Sequence, residues 1–182
     1  MARKHQSMAY DLTYIAICVA FITVCSWIAI PFFVNFTLQT FAIFFISAIS
    51  GWKKSLSAIL TYLALGAIGI PVFSGFQSGI SALFQVTGGY LWGFIGSALI
   101  VSGMVSHFGH KKRFLILSML LGLLFCYATG TIWYVVLYVR NYGEISLWTA
   151  LGYCCLPFLI PDLVKIILAS FLTLRIYPRI SR

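Results

Sequence analysis

Asp162 and Lys165 stand three residues apart in a stretch that is otherwise uncharged from Ile145 to Leu174. An ionisable group in an apolar segment costs roughly 2.5–3.5 kcal/mol on insertion scales when central, so such groups usually mark a function. At a spacing of i and i+3 the two share one helical face and can pair there. Together they offer a carboxylate acceptor and an ammonium donor, which suits a small polar solute held inside a membrane. Pro161 fits the first position of a helix, which would place Asp162 in the first turn, where the helix dipole favours a carboxylate. Counted from Pro161, a span of about 20 residues reaches Ile180. That depth puts the pair toward the outer face and suits an exterior solute.

Other polar groups fall in two places. Thr87-Gly88-Gly89-Tyr90-Leu91-Trp92-Gly93 sets Thr87 and Tyr90 on a common face, while Gly89 and Gly93 have the spacing that lets two helix backbones approach closely. Just before it, Pro71 to Ser81 mixes Ser74, Gly75, Gln77, Ser78 and Gly79 with Phe73 and Phe76. An uncharged loop of that composition can fold back over the bundle as a lid with its backbone buried in protein, the alternative being an irregular extracellular connector. Ala16 and Ala20 repeat the small-residue spacing on the first helix, either for packing or as a docking stripe.

These groups need a membrane scaffold. The chain of 182 residues is 62% apolar and 8% charged, with a mean hydropathy of +1.02. Soluble domains run at about 45–50% apolar and about 25% charged. There are 41 uncharged residues between Asp11 and Lys53, 56 between Lys54 and Lys111, and 26 between Arg113 and Arg140. At about 20 residues per crossing, these gaps and the last segment hold two, two, one and one spans. The expectation is an all-α bundle of six transmembrane helices in a single domain, 1–182. The helices are placed at about 10–30, 36–51, 55–70, 83–106, 114–139 and 148–175.

Arg3, Lys4, Lys53, Lys54, Lys111, Lys112, Arg113, Arg175, Arg179 and Arg182 then all fall on one side, which predicts that both termini are cytoplasmic. Only Arg140 lies on the other. The net charge of +9 is therefore spread over anchoring loops, so nucleic acid is not an expected partner. The first apolar run is too long for a secretion signal, and no small-residue cleavage pattern follows it. No pair of the five cysteines has the two-residue spacing of a zinc or redox site, and a site from His107 and His110 would need carboxylates or thiolates that are not near, so neither a metal nor a cofactor is expected. A membrane enzyme would need a nucleophile or metal group, and with three acidic residues and no clustered cysteine or histidine ligands the sequence offers little. An independent secondary transporter would show two similar halves, and none is evident.

Four ordered segments nevertheless resemble one family. Thr37-Leu38-Gln39-Thr40, Gly69-Ile70-Pro71-Val72-Phe73-Ser74-Gly75, Thr87-Gly88-Gly89-Tyr90-Leu91-Trp92-Gly93-Phe94 and Phe158-Leu159-Ile160-Pro161-Asp162-Leu163-Val164-Lys165 look like the signatures of BioY. BioY proteins are the biotin-specific substrate-binding components of energy-coupling factor (ECF) transporters. Gln85-Val86 stands where that family usually has Gly-Pro, and Ile160-Pro161 where it has Pro-Gly.

The resemblance implies a multi-pass protein of a prokaryotic cell membrane that captures biotin from outside and has no ATPase of its own. Biotin would meet Asp162, Lys165, Tyr90, Thr87, Ser78 and Gln39, with Trp92, Phe73 and Phe76 as walls or lid. Asp162 would accept a ureido N–H, and Lys165 would donate to the ureido oxygen or to the carboxylate. The implied partners are a transmembrane coupling component, docked on Ala16 and Ala20, and two ABC-type ATPases. A component for another small vitamin, or a stand-alone solute transporter, is the alternative. The sequence has no phosphate-binding loop ending in Lys-Ser or Lys-Thr, so ATP coupling is expected to come from elsewhere.

Overall fold

The computed structural model describes residues 8–30 and 36–180. It is all-helical apart from one short ribbon. Helix α1 (Met8–Trp27) leads into strands β1 (Ala29–Ile30) and β2 (Phe36–Thr37), which pair antiparallel as Ala29 with Thr37 and Ile30 with Phe36. Then follow α2 (Gln39–Ala67), a 3-10 turn (Ser74–Phe76), α3 (Ile80–Phe84), α4 (Gly88–Phe108), α5 (Lys112–Tyr142), α6 (Leu147–Cys154) and α7 (Leu156–Ile180). Helices α1, α2, α4, α5 and α7 are long and apolar enough to cross a membrane.

Helix α2 is broken at Gly51, whose φ of 72° and ψ of 164° no helix contains. The amide of Gln39 donates to the Tyr62 hydroxyl at 2.7 Å. On one straight helix those residues would lie about 35 Å apart at 1.5 Å per residue, so the two arms fold back on each other. The expected helices 36–51 and 55–70 are thus the two arms, reversed at Gly51 without a separate loop. Lys54, just past the reversal, pairs with Asp11 of α1 at 2.7 Å, and Tyr14 shares a 2.8 Å hydrogen bond with Ser50.

Three other boundaries differ from expectation. Phe36 and Thr37 are strand, because they pair with Ile30 and Ala29. The helix expected from 83 begins at Gly88, after a turn in which Gly88 approaches the Leu83 carbonyl so closely that a Cβ would not fit. The helix expected over 148–175 is divided at Cys155, since Pro157 cannot donate to a carbonyl four residues back and is tolerated only in the opening turn of α7. Pro161 is therefore inside α7 and not its first residue, and Asp162 belongs to the second turn.

The tightest packing joins α4 to α5. A Cβ on Gly89 would strike Trp133, one on Gly93 would strike Thr129 and Cys126, and one on Gly96 would strike Phe125. In lipid, close backbone approach of this kind supplies the van der Waals contact that holds helices together. The ring of Tyr90 in turn fills the space a side chain at Gly130 would need.

Gly51 has open space around its Cα but a backbone conformation that essentially only glycine adopts. Gly51→Ala should cost about 1–3 kcal/mol through strain alone. Gly103→Ala, in an equally open site within α4, should be neutral or stabilising by up to about 1 kcal/mol. Thermal unfolding of both variants in detergent checks the contrast.

Candidate functional site

One cavity of about 570 Å³ runs between the start of α2, residues 73–77, residues 84–90 and helices α5, α6 and α7. Its lining passes from the buried Asp162 and Lys165, 3% and 4% exposed, to the exposed amides of Gln77, Gln85 and Asn141. The volume lies within the range of about 300–1,000 Å³ usual for sites that enclose a small organic molecule.

The inner end is a closed hydrogen-bond network. Asp162 Oδ1 accepts from Lys165 Nζ at 2.7 Å and from the Thr40 hydroxyl at 3.0 Å, while Oδ2 accepts from the Tyr127 hydroxyl at 2.6 Å. Lys165 Nζ donates further to the Thr37 carbonyl at 2.6 Å and to Thr40 Oγ1 at 3.2 Å. It also stands 4.0 Å from the centre of the Phe36 ring, which is stacked on Phe158. An ammonium has three protons and all three are placed. A carboxylate accepts at about four positions, and the three bonds to Asp162 leave one open, on Oδ2. The arrangement can therefore take one N–H from a ligand at Asp162 without breaking anything.

Thr37 reaches this network because the β-ribbon carries its carbonyl across from α1, and Thr40 because the first turn of α2 follows directly. A second chain of bonds extends from the same place. Thr37 Oγ1 donates to Gln39 Oε1 at 2.9 Å, the Gln39 amide to Tyr62, and Tyr62 to the carbonyl of Val72 at 3.1 Å. Ser26 of α1 donates to that same carbonyl. Trp27, next on α1, donates to the Pro71 carbonyl at 2.9 Å and stacks on Phe76.

Asp162, Lys165, Gln39, Thr87, Tyr90 and Phe73 all line the cavity. Ser78, Trp92 and Phe76 do not. Trp92 turns its N–H to the Leu83 carbonyl at 3.2 Å, and Phe76 is 61% exposed over Trp27. The loop that carries Phe76 and Ser78 passes through left-handed conformations at Gly75, Phe76 and Gly79, which turn those two side chains away from the interior, while Trp92 lies on α4. Tyr90 lines the cavity with its ring, since its hydroxyl is committed to the Cys154 carbonyl at 3.0 Å.

Tyr127, Gln77, Gln85 and Asn141 line the cavity without having been expected there from the sequence, and Thr37, Thr40 and Phe158, which the sequence marked only as parts of motifs, line it too. For Tyr127 no local signal exists: it is one aromatic residue in an apolar helix, 35 positions from its partner. Among the described residues no three of His, Cys, Asp and Glu come together as a metal site would require. Ala16 and Ala20 are both exposed on α1.

The BioY family profile matches residues 1–182. The biotin transporter BioY of Thermotoga maritima is 35% identical over 158 residues, covering 86% of this chain and 89% of that protein. Biotin transporter BioY2 of Lactococcus lactis is 34% identical over 173 residues, covering 94% and 92%. A 2.1 Å crystal structure of the S-component for biotin from an ECF-type ABC transporter superposes with a TM-score of 0.85 at 25% identity, covering 96% of this chain and 94% of that one. On a match that runs from the first residue to the last, the chain belongs to the BioY family.

Proposed function

We propose that this protein is the biotin-binding membrane component of an ECF-type vitamin transporter, capturing biotin from outside the cell. The observation that carries this reading is the buried Asp162–Lys165 pair at the inner end of a cavity of suitable size, with one acceptor position open on Asp162. Biotin has a ureido ring with two N–H donors and one carbonyl, an apolar thiophane ring and an acid tail. Asp162 accepts a ureido N–H, and Gln39 and Thr87 supply further polar contacts. Phe73, Phe158 and the ring of Tyr90 wall the apolar part. Ser78, Trp92 and Phe76 are not placed in the site.

In the membrane, the two arms of α2 make separate crossings, which with α1, α4, α5 and α7 gives six. Both termini then face the cytoplasm, as the basic loops require. The single domain, 1–182, carries no ATPase of its own. Uptake needs a transmembrane coupling component and two ABC-type ATPases, and the exposed Ala16 and Ala20 form the surface on which the coupling component docks.

Removing one partner of a buried ion pair leaves the other charge uncompensated at a cost of about 3–5 kcal/mol, whereas replacing both with neutral groups is often tolerated. Asp162→Asn alone and Lys165→Met alone should each lower the thermal midpoint in detergent and weaken biotin binding by at least about tenfold. The double variant should recover most of the midpoint and still fail to bind biotin by calorimetric titration. Wild-type affinity in the double variant would remove the pair from the site. Replacing Ala16 and Ala20 together by Trp should abolish cellular biotin uptake while sparing binding to the purified protein. Loss of both activities would assign the two alanines to internal packing.

A further inference from the structure

The cavity is electrically lopsided. Among the described residues, Asp162 and Lys165 are the only charged side chains that line it, and residues 31–35, beside Phe36, include none in sequence. The exposed end presents the neutral amides of Gln77, Gln85 and Asn141. A ligand with one neutral polar ring and one carboxylate must choose an orientation. With the carboxylate inward, two carboxylates would crowd one ammonium in a buried space, leaving a net negative charge out of water. With the ureido ring inward the site stays neutral. One ureido N–H takes the open position on Asp162 Oδ2, and the ureido oxygen receives from Lys165 in place of its longest bond, the 3.2 Å contact to Thr40. The tail then lies among the exposed amides, where its charge stays hydrated.

From this distribution we infer that the site reads the ureido bicycle and does not read the charge of the tail. It therefore accepts ligands whose carboxyl is converted to an amide, including the amide of biotin with lysine. This rests on the biotin-binding reading above. The cavity's volume leaves room for a longer tail at an open end. The one cation close in sequence to the opening is Arg140, which adjoins Asn141 but is exposed and does not line the cavity.

The test is competition against labelled biotin on the purified full chain in detergent, with biotin, its primary amide, its lysine amide and lipoic acid as competitors. Lipoic acid has a similar acid tail and no urea. The two amides should compete within about tenfold of biotin, lipoic acid should not compete, and Arg140→Gln should leave biotin affinity unchanged. A buried charge contact, once truncated, costs more than about tenfold. Amides weaker than biotin by more than that, competition by lipoic acid comparable to biotin, or a tenfold loss in Arg140→Gln would each overturn the inference. If labelled biotin itself does not bind, the biotin-binding reading fails, and that outcome is read from the direct titration before any competitor is added.

Discussion

A carboxylate and an ammonium held 2.7 Å apart inside an apolar bundle set the terms for everything around them. Taking two ions out of water costs several kcal/mol each, and their attraction repays this only when the remaining donors and acceptors are also satisfied. Three other segments meet that demand here. The β-ribbon brings the Thr37 carbonyl, the first turn of α2 brings Thr40, α5 brings Tyr127, and Phe36 closes over the ammonium. The site is therefore less a pair of residues on α7 than a point at which α2, α5 and α7 must meet in register.

That meeting depends on two backbone devices. Gly51 reverses α2 so that Gln39 and Tyr62, far apart in a straight helix, bond to each other beside the cavity. Gly89 and Gly93 let α4 lie against α5, which holds Tyr127 and the ring of Tyr90 at their places in the wall. Neither device touches a ligand. They act differently: a side chain at Gly89 or Gly93 would strike α5 and push the two helices apart, whereas one at Gly51 has room and would strain only the backbone of the reversal.

Much of this was legible in the sequence because charge is so scarce. Asp162 and Lys165 stood out by being unaffordable in lipid without a partner, and glycine spacing marked the tight face of α4. The limits follow from what spacing alone conveys. The lid composition from Pro71 to Ser81 was readable, but which of its side chains turn inward is decided by the left-handed conformations of Gly75, Phe76 and Gly79, so Phe73 lines the cavity while Phe76 and Ser78 do not. Tyr127 had no signature at all, since its role arises from a contact between distant helices. Pro161 pointed to a helix start, but the chain had already begun α7 at Leu156, with Pro157 occupying the position in the opening turn where a missing N–H does no harm.

The bonds from Ser26 and Trp27 to the carbonyls of Val72 and Pro71 carry a mechanical meaning. They rivet the end of α1 to the segment that roofs the cavity, and the stack of Trp27 on Phe76 adds a third fastening. Helix α1 is consequently tied at both ends, to α2 through Asp11 and Tyr14 and to the roof through Ser26 and Trp27, with the exposed face bearing Ala16 and Ala20 between them. Any force that tilts α1 against the bundle must either carry residues 71–76 along or break those rivets, so a pull on the outside of the helix is felt at the opening of the cavity.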